Sequence, residues 1–80
     1  MESKVAIIAI IVENTDSVEK LNGILHEYSK DLLGRMGIPY HKKNINIISI
    51  AIDAPNEKIT ALSEKIGKLN GVSVQVVYSK

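Results

Sequence analysis

The stretch VAIIAIIV at residues 5–12 decides the fold class. It is continuous, rich in β-branched residues and free of polar side chains, which is typical of a strand buried on both faces. A second stretch, INIISIAI at residues 45–52, has the same character with only two polar breaks. A third, VSVQVVY at residues 72–78, alternates polar and apolar residues, as a strand with one solvent-facing side does. These stretches predict three strands of one sheet.

Apolar residues at helical spacing follow each of the first two stretches. The first set follows Asp16, which forms a capping-box pattern with Glu19, and we expect its helix to end at Gly34. The second set follows Pro55 at the first turn of its helix, and Asn70-Gly71 ends it. The two sets are Val18, Leu21, Leu25, Tyr28 and Leu32, and then Ile59, Leu62, Ile66 and Leu69.

The segment between the first helix and the second stretch is long enough for a further short strand at residues 36–40, turning back at residues 42–44. Pro39 has no N–H for a strand ladder, so this strand should lie at a sheet edge. The order is then βαββαβ, with strand order 4-1-3-2. It predicts an α+β, ferredoxin-like sandwich in which two helices cover one face of a four-stranded antiparallel sheet. Residues 1–80 should form a single domain.

Composition excludes several classes of protein. The 80 residues contain no cysteine, so disulfides, thiolate metal clusters and a cysteine nucleophile are excluded. Ten basic and nine acidic residues give a net charge of +1, too balanced for a chain that mainly binds nucleic acid or an anionic membrane. The longest apolar run is far shorter than a membrane span, and the N-terminal residues do not resemble a secretory signal. We therefore expect a soluble, cytoplasmic protein with no membrane or direct nucleic-acid partner.

The second face of the sheet carries the main functional signal. Two helices cover one face only, so a monomer should have polar residues on the other face of its central strands, whereas residues 5–12 are apolar throughout. We expect a second copy of the chain to cover this face, giving a homodimer or homotetramer through the open face and the sheet edges. The alternative is a monomer with an exposed apolar strand.

The functions common to this fold can be compared with the residues present. RNA recognition needs aromatic residues on the two central strands, and these strands have none. A copper chaperone needs Cys-x-x-Cys, and a phosphate-binding enzyme needs a cationic loop where this chain has Glu13-Asn14-Thr15-Asp16. No catalytic constellation is evident, so we expect no enzymatic activity, no catalytic residue and no cofactor. A regulatory, ligand-sensing module of the ACT type remains.

Four segments of the chain have a distinctive sequence. The most specific is the run Gly34-Arg35-Met36-Gly37-Ile38-Pro39-Tyr40, and the others are Leu25-His26-Glu27-Tyr28, Asn46-Ile47-Ile48-Ser49 and residues 61–72. Together they resemble a small bacterial family of iron-only hydrogenase system regulators. Members are similar to ACT domains and to the tetramer-forming domain of the nickel-responsive repressor. The resemblance implies a homo-oligomeric sensor domain that responds to a small-molecule effector or a protein partner and has no DNA-binding segment of its own.

The resemblance to ACT domains also implies a ligand site between subunits. In such modules the first strand–helix loop of one subunit faces the edge region of another, which here places Asn14, Thr15 and Asp16 opposite Arg35, Gly37 and Tyr40. Each residue also has a plainer interpretation. The loop residues would cap the first helix, and Tyr40 would pack on the sheet edge.

Arg35 and Gly37 each have two interpretations. The guanidinium of Arg35 would capture a carboxylate of a ligand or of a neighbouring subunit, or would complement the helix macrodipole. Gly37 would permit a positive φ or a bulge in the edge strand.

His26 and His41 are the only histidines. The nickel sites of the similar repressor use several histidines and a cysteine, so this chain departs from that pattern, and no metal site is expected within one chain. Two alternatives to an effector-sensing domain remain at this point. One is a metal-binding sensor that uses His26 and His41 across subunits, and the other is a purely structural assembly subunit.

Overall fold

The computed structural model describes residues 2–80 and has the predicted order βαββαβ. A single 3₁₀ turn, Thr15–Ser17, precedes the first helix. The elements are β1 (Ser3–Val12), α1 (Val18–Glu27), β2 (Leu32–Tyr40), β3 (Ile45–Pro55), α2 (Asn56–Gly67) and β4 (Val72–Tyr78). Of the helices in the described chain, none has the length and apolar character needed to cross a membrane.

The four strands form one antiparallel sheet in the order β2-β3-β1-β4. The predicted ferredoxin-like sandwich is confirmed, and so is the edge position of the strand that contains Pro39. The chain turns back at Asn44, whose positive φ of 55° is a conformation that asparagine tolerates well. The turn spans residues 41–44 and so includes the predicted residues 42–44.

The core lies between the helices and one face of the sheet. From Ala6 to Val12 every second residue of β1 is buried, and the buried residues of α1 and α2 are all among those predicted from helical spacing. The helical residues with the least exposure are Leu21, Leu25, Ile59, Leu62 and Ile66. Full burial of such side chains contributes about 1.5–3 kcal/mol each, so this layer supplies the main stabilisation of a small domain.

The first helix is shorter than predicted, and the edge strand is longer. α1 ends at Glu27, because the chain then tightens into a turn in which the N–H of Tyr28 donates to the carbonyl of Leu25 at 3.1 Å. Leu32 therefore belongs to β2, where it pairs with Ile52, and Gly34 lies beside an irregularity in the ladder and does not end a helix. The longer strand gains backbone pairing along β3, which local helical spacing could not indicate.

The start of α1 is tied to the α2–β4 turn. The N–H of Glu13 donates to the carbonyl of Gly71 at 2.7 Å, and the buried Ser17 hydroxyl donates to the carbonyl of Asn70 at 2.7 Å. The predicted capping box at Asp16 is wrong. Because Ser17 is the residue before the helix, Asp16 lies in the preceding 3₁₀ turn and does not occupy the capping position.

Candidate functional site

A shallow groove of about 210 Å³ lies between the first half of α1 and the second half of β2. Val18 and Asn22 form the helix side, and Arg35, Gly37 and Pro39 belong to the strand side. Ile48 and Asn46 of β3 also line it. The groove exists because β2 is an edge strand that extends past the helical layer, so this part of its helix-facing side is exposed.

Arg35 is held in this groove by a neutral partner. Its Nη2 donates to Oδ1 of Asn22 at 3.2 Å, and within residues 2–80 its guanidinium forms no salt bridge. An amide oxygen orients a guanidinium without cancelling its charge, so the groove keeps a positive charge on its wall. The interpretation of Arg35 as a complement to the helix macrodipole is wrong, because α1 ends eight residues earlier and Arg35 contacts its middle turn.

Gly37 forms part of the groove, and neither predicted reason for a glycine applies to it. Its φ is not positive, since Gly71 is the one glycine in the described chain with such a φ. The irregularity of the β2–β3 ladder lies between Leu32 and Gly34, not at Gly37. A Cβ added at Gly37 would meet nothing within 4 Å. Because Gly37 has no side chain, the groove beside it stays open.

The other predicted ligand residues do not line this groove. Asn14 caps the 3₁₀ turn, its Oδ1 accepting the N–H of Asp16 at 3.0 Å. The plainer interpretation has these loop residues cap the first helix, but the observed cap belongs to the 3₁₀ turn, and Ser17, the residue before α1, gives that helix no side-chain cap. Thr15 lies exposed in the same turn. Tyr40 alternates with Arg35 and Gly37 along β2 and pairs with Ile45, so its side chain belongs to the face without helices.

The two histidines do not meet within one chain. His26 is in the last turn of α1, next to the turn that leads into β2, whereas His41 follows the far end of β2. Both are exposed. Among residues 2–80, no group of three or more histidine, aspartate and glutamate side chains is placed to hold a metal ion.

The face of the sheet without helices is exposed and apolar, as predicted. Ile7 pairs with Ala51 on one side and with Val77 on the other, and Ile11 pairs with Ile47. The apolar residues of this open face with more than a third of their surface exposed are Val5, Ile7, Ile11, Met36, Ile38, Tyr40, Ile47 and Val77. Its polar positions are Ser49, Ser73, Gln75 and, at one end, Ser3 and Asp53. The middle of the open face therefore carries no charge.

A small ionic cluster joins the two helices away from both surfaces. Nζ of Lys65 lies 5.2 Å from the ring centroid of Tyr28 and 3.7 Å from Oε2 of Glu27. The hydrogen bond to Tyr28, followed by the charge of Glu27, raises the pKa of Lys65 above its usual 10.5. These contacts connect the end of α1 to α2, and none of the three residues lines the groove.

Two groove residues were missed by sequence reasoning, Asn22 and Asn46. Asn46 carried a signal, because it is a polar break near the start of an isoleucine-rich strand, where asparagine is uncommon. Asn22 carried none, since an exposed polar residue on a helix is ordinary. Only the packing of α1 beside β2 places it within reach of Arg35.

Comparison with known proteins agrees with this fold. Residues 4–76 match the TM1266-like family, described as "Iron-only hydrogenase system regulator, putative". The structure of the uncharacterized protein TM1266 from Thermotoga maritima is 35% identical and superimposes with a TM-score of 0.94, covering 99% of this chain and 100% of that one. No curated protein matches the chain.

Two more distant structures share the fold alone. A formyltetrahydrofolate deformylase from Pseudomonas putida is 10% identical with a TM-score of 0.66, and the match covers 91% of this chain but 28% of the deformylase. A nitrogen regulatory PII-like protein from Thiomonas intermedia, solved with ADP, AMP and bicarbonate, is 16% identical with a TM-score of 0.51 and full coverage of both chains. The family match and the full-length similarity together show that this chain belongs to the TM1266-like family of iron-only hydrogenase system regulators.

Proposed function

We propose that this chain is a non-enzymatic, cytoplasmic regulatory domain of the iron-only hydrogenase system that acts by self-association, as a homodimer or homotetramer. The observation that carries the proposal is the open face of the sheet. Ile7 and Ile11, at the centre of that face, are 49% and 42% exposed in the single chain. Contiguous apolar surface of this kind on one molecule usually marks an interaction site.

The dimensions of the open face suit an interface. Four strands about 4.8 Å apart and seven residues with a rise of about 3.4 Å give roughly 450 Å² of projected sheet per copy. Two such faces supply about 900 Å² of projected area, and the accessible surface is larger because side chains project from the sheet. This is close to the ~1,000 Å² that is the lower limit for a biological interface. The edges at β2 and β4 would add to this area in a tetramer.

The chemistry of the open face favours a second copy as its occupant. Because the middle of the face is uncharged, it offers nothing to attract a partner of either sign. An apolar sheet face can also pack on an identical sheet, as two sheets do in a sandwich. A two-fold arrangement buries the same apolar residues on both copies, so the surface is its own complement.

The regulatory part of the proposal is a response to a small effector or a protein partner. The PII-like protein of the same fold was solved with small anionic ligands, which supports effector sensing here. The loop of Asn14, Thr15 and Asp16 from one subunit, opposite the Arg35–Tyr40 region of another, remains the proposed arrangement between subunits. A purely structural assembly would show no ligand-dependent change in thermal stability.

The test is the mass of the chain in solution, measured by size-exclusion chromatography with light scattering at micromolar concentrations. We expect a multiple of 8.8 kDa. The half-exposed side chain of Ile7 should contribute about 1 kcal/mol per chain when covered. It occurs twice in a two-fold interface, so Ile7→Ala should weaken dimerisation about 30-fold.

A charge at the same position gives the sharper comparison. Ile7→Lys should dissociate the assembly, because the ammonium group would have to be desolvated, whereas Ile7→Val keeps an apolar β-branched residue and should remain assembled. Circular dichroism checks that each variant is folded. A folded wild-type monomer at 8.8 kDa, or an assembly unaffected by Ile7→Lys, would contradict the proposal.

A further inference from the structure

We propose that the groove between α1 and β2 is a binding site, complete within one chain, for a small monocarboxylate with a short apolar body. Arg35 is the anchor of this site. The inference names the class of effector and so rests on the proposed function for its regulatory meaning. Binding in the groove, however, can be measured whether or not the chain assembles.

The charge of Arg35 is the first support. The guanidinium has five N–H donors in a planar fork, and one nitrogen is oriented by Asn22 at 3.2 Å. Across the described part of the chain, no acidic side chain lies within salt-bridge distance of it. The fork is thus held in place by a neutral group, with its charge and most of its donors left for a ligand. A planar carboxylate is the group that such a fork binds with two parallel hydrogen bonds.

The empty space beside Gly37 is the second support. Glycine in the interior of a strand is destabilising, and it is found where a bulge occurs or where a ligand or another backbone comes close. Neither a positive φ nor a bulge accounts for Gly37, and no neighbour of the described chain would touch a Cβ there. Close approach of a group from outside the chain is the remaining reason for a glycine at this position, and we assign that group to the ligand.

The other walls determine the rest of the ligand. Val18, Pro39 and Ile48 offer apolar surface. Asn46 is half-buried, and its side chain forms no hydrogen bond to another residue in the range 2–80. Its amide is therefore a second polar group that a ligand oxygen could reach. An apolar body with one charged end matches this distribution.

The size and charge of the groove favour a monocarboxylate over a phosphate. The volume of about 210 Å³ is enough for a carboxylate on a short branched chain. Arg35 is the one cationic residue that lines the groove within the described chain. One guanidinium balances one negative charge, whereas a phosphate dianion would keep an unpaired charge beside apolar walls.

The test is a titration followed by two-dimensional NMR of the ¹⁵N-labelled protein with propionate, isovalerate and benzoate. We expect saturable shifts of the backbone signals of Arg35 and Gly37. Isovaleramide, which has the size of isovalerate without its charge, should bind at least tenfold more weakly. Inorganic phosphate should not compete. Absence of saturable binding by all three acids, or equal binding of the amide or of phosphate, would overturn the inference.

Variants separate groove binding from other effects. Arg35→Gln should weaken carboxylate binding at least tenfold, whereas Lys43→Gln, which removes a positive charge from the β2–β3 turn outside the groove, should leave it unchanged. Gly37→Ala should weaken carboxylate binding without unfolding the chain, because a Cβ there meets no neighbour but takes up space in the groove. Unchanged affinity in Arg35→Gln would refute the site. The mass of each sample in solution is measured in parallel. A monomer that binds carboxylate would refute only the proposed self-association. An assembly that does not bind carboxylate would refute only the proposed binding site in the groove.

Discussion

Replacing Gly71 with alanine should destabilise the protein more than any other single-methyl addition at a glycine. Gly71 has a φ of +70° in the α2–β4 turn. A Cβ at this position would lie 2.6 Å from Cβ of Asn14 and 2.9 Å from its backbone nitrogen. The second of these contacts is with the main chain, so rotating a side chain cannot relieve it.

The expected loss has two parts. The left-handed conformation costs an L-residue about 1–2 kcal/mol. Moving the loop to relieve the contact with Asn14 also endangers the hydrogen bond from Glu13 to the Gly71 carbonyl, which contributes about 1 kcal/mol. The sum is about 2–3 kcal/mol, a large share of the roughly 4–12 kcal/mol expected for a domain of 80 residues. A shift of this size lowers the melting temperature by about 10–20 °C.

The assay is denaturant unfolding followed by circular dichroism, at one chain concentration for all variants because assembly adds to apparent stability. Gly23→Ala is the matched control. Gly23 lies exposed in α1 with nothing within 4 Å of an added Cβ, so alanine there should stabilise the protein by about 0.8–1 kcal/mol. If Gly71→Ala is as stable as the wild type, the argument from its φ and from Asn14 is wrong.

Two further predictions concern the helices and the histidines. Because the folded protein raises the pKa of Lys65, the contribution of that residue is fully present below pH 10.5 and is lost as the pH rises through the higher folded value. Thermal melts at increasing alkaline pH should therefore show a smaller decline for Lys65→Met than for the wild type, and equal declines would contradict the role of Tyr28 and its neighbours. The double variant His26→Ala, His41→Ala should keep the wild-type mass in solution and the same nickel and iron uptake. Reduced metal uptake would instead favour the metal-sensor alternative.

Much of the fold could be predicted, and the one substantial error has a clear cause. Three strands and both helices follow from side-chain patterns, β2 was inferred from the length of the segment that contains it, and Pro39 correctly placed β2 at an edge. Helical spacing, however, continued through Leu32, where the chain had already turned and entered β2. An apolar residue at that position serves the helix and the strand equally well, and pairing with Ile52 decides between them.

The site was predicted less completely. Arg35 and Gly37 were singled out from the sequence and both line the groove, although the macrodipole interpretation of Arg35 and both interpretations of Gly37 do not apply. Asn22 was not singled out, because it lies thirteen residues from Arg35 and in a different element. Tyr40 was grouped with Arg35 because the two are close in sequence, but strand alternation separates their faces.

The sequence alone determined three properties of this protein. They are the types of its secondary-structure elements, the buried apolar face of each helix and the apolar character of the second face of the sheet. These properties depend on the fixed two-residue period of a strand and the 3.6-residue period of a helix, which belong to the backbone itself. The end of α1, the groove and the partner of Arg35 were decided only by the tertiary structure. They depend on the register of β2 against β3 and on how far the edge strand extends past the helices, and both result from the packing of the whole sheet.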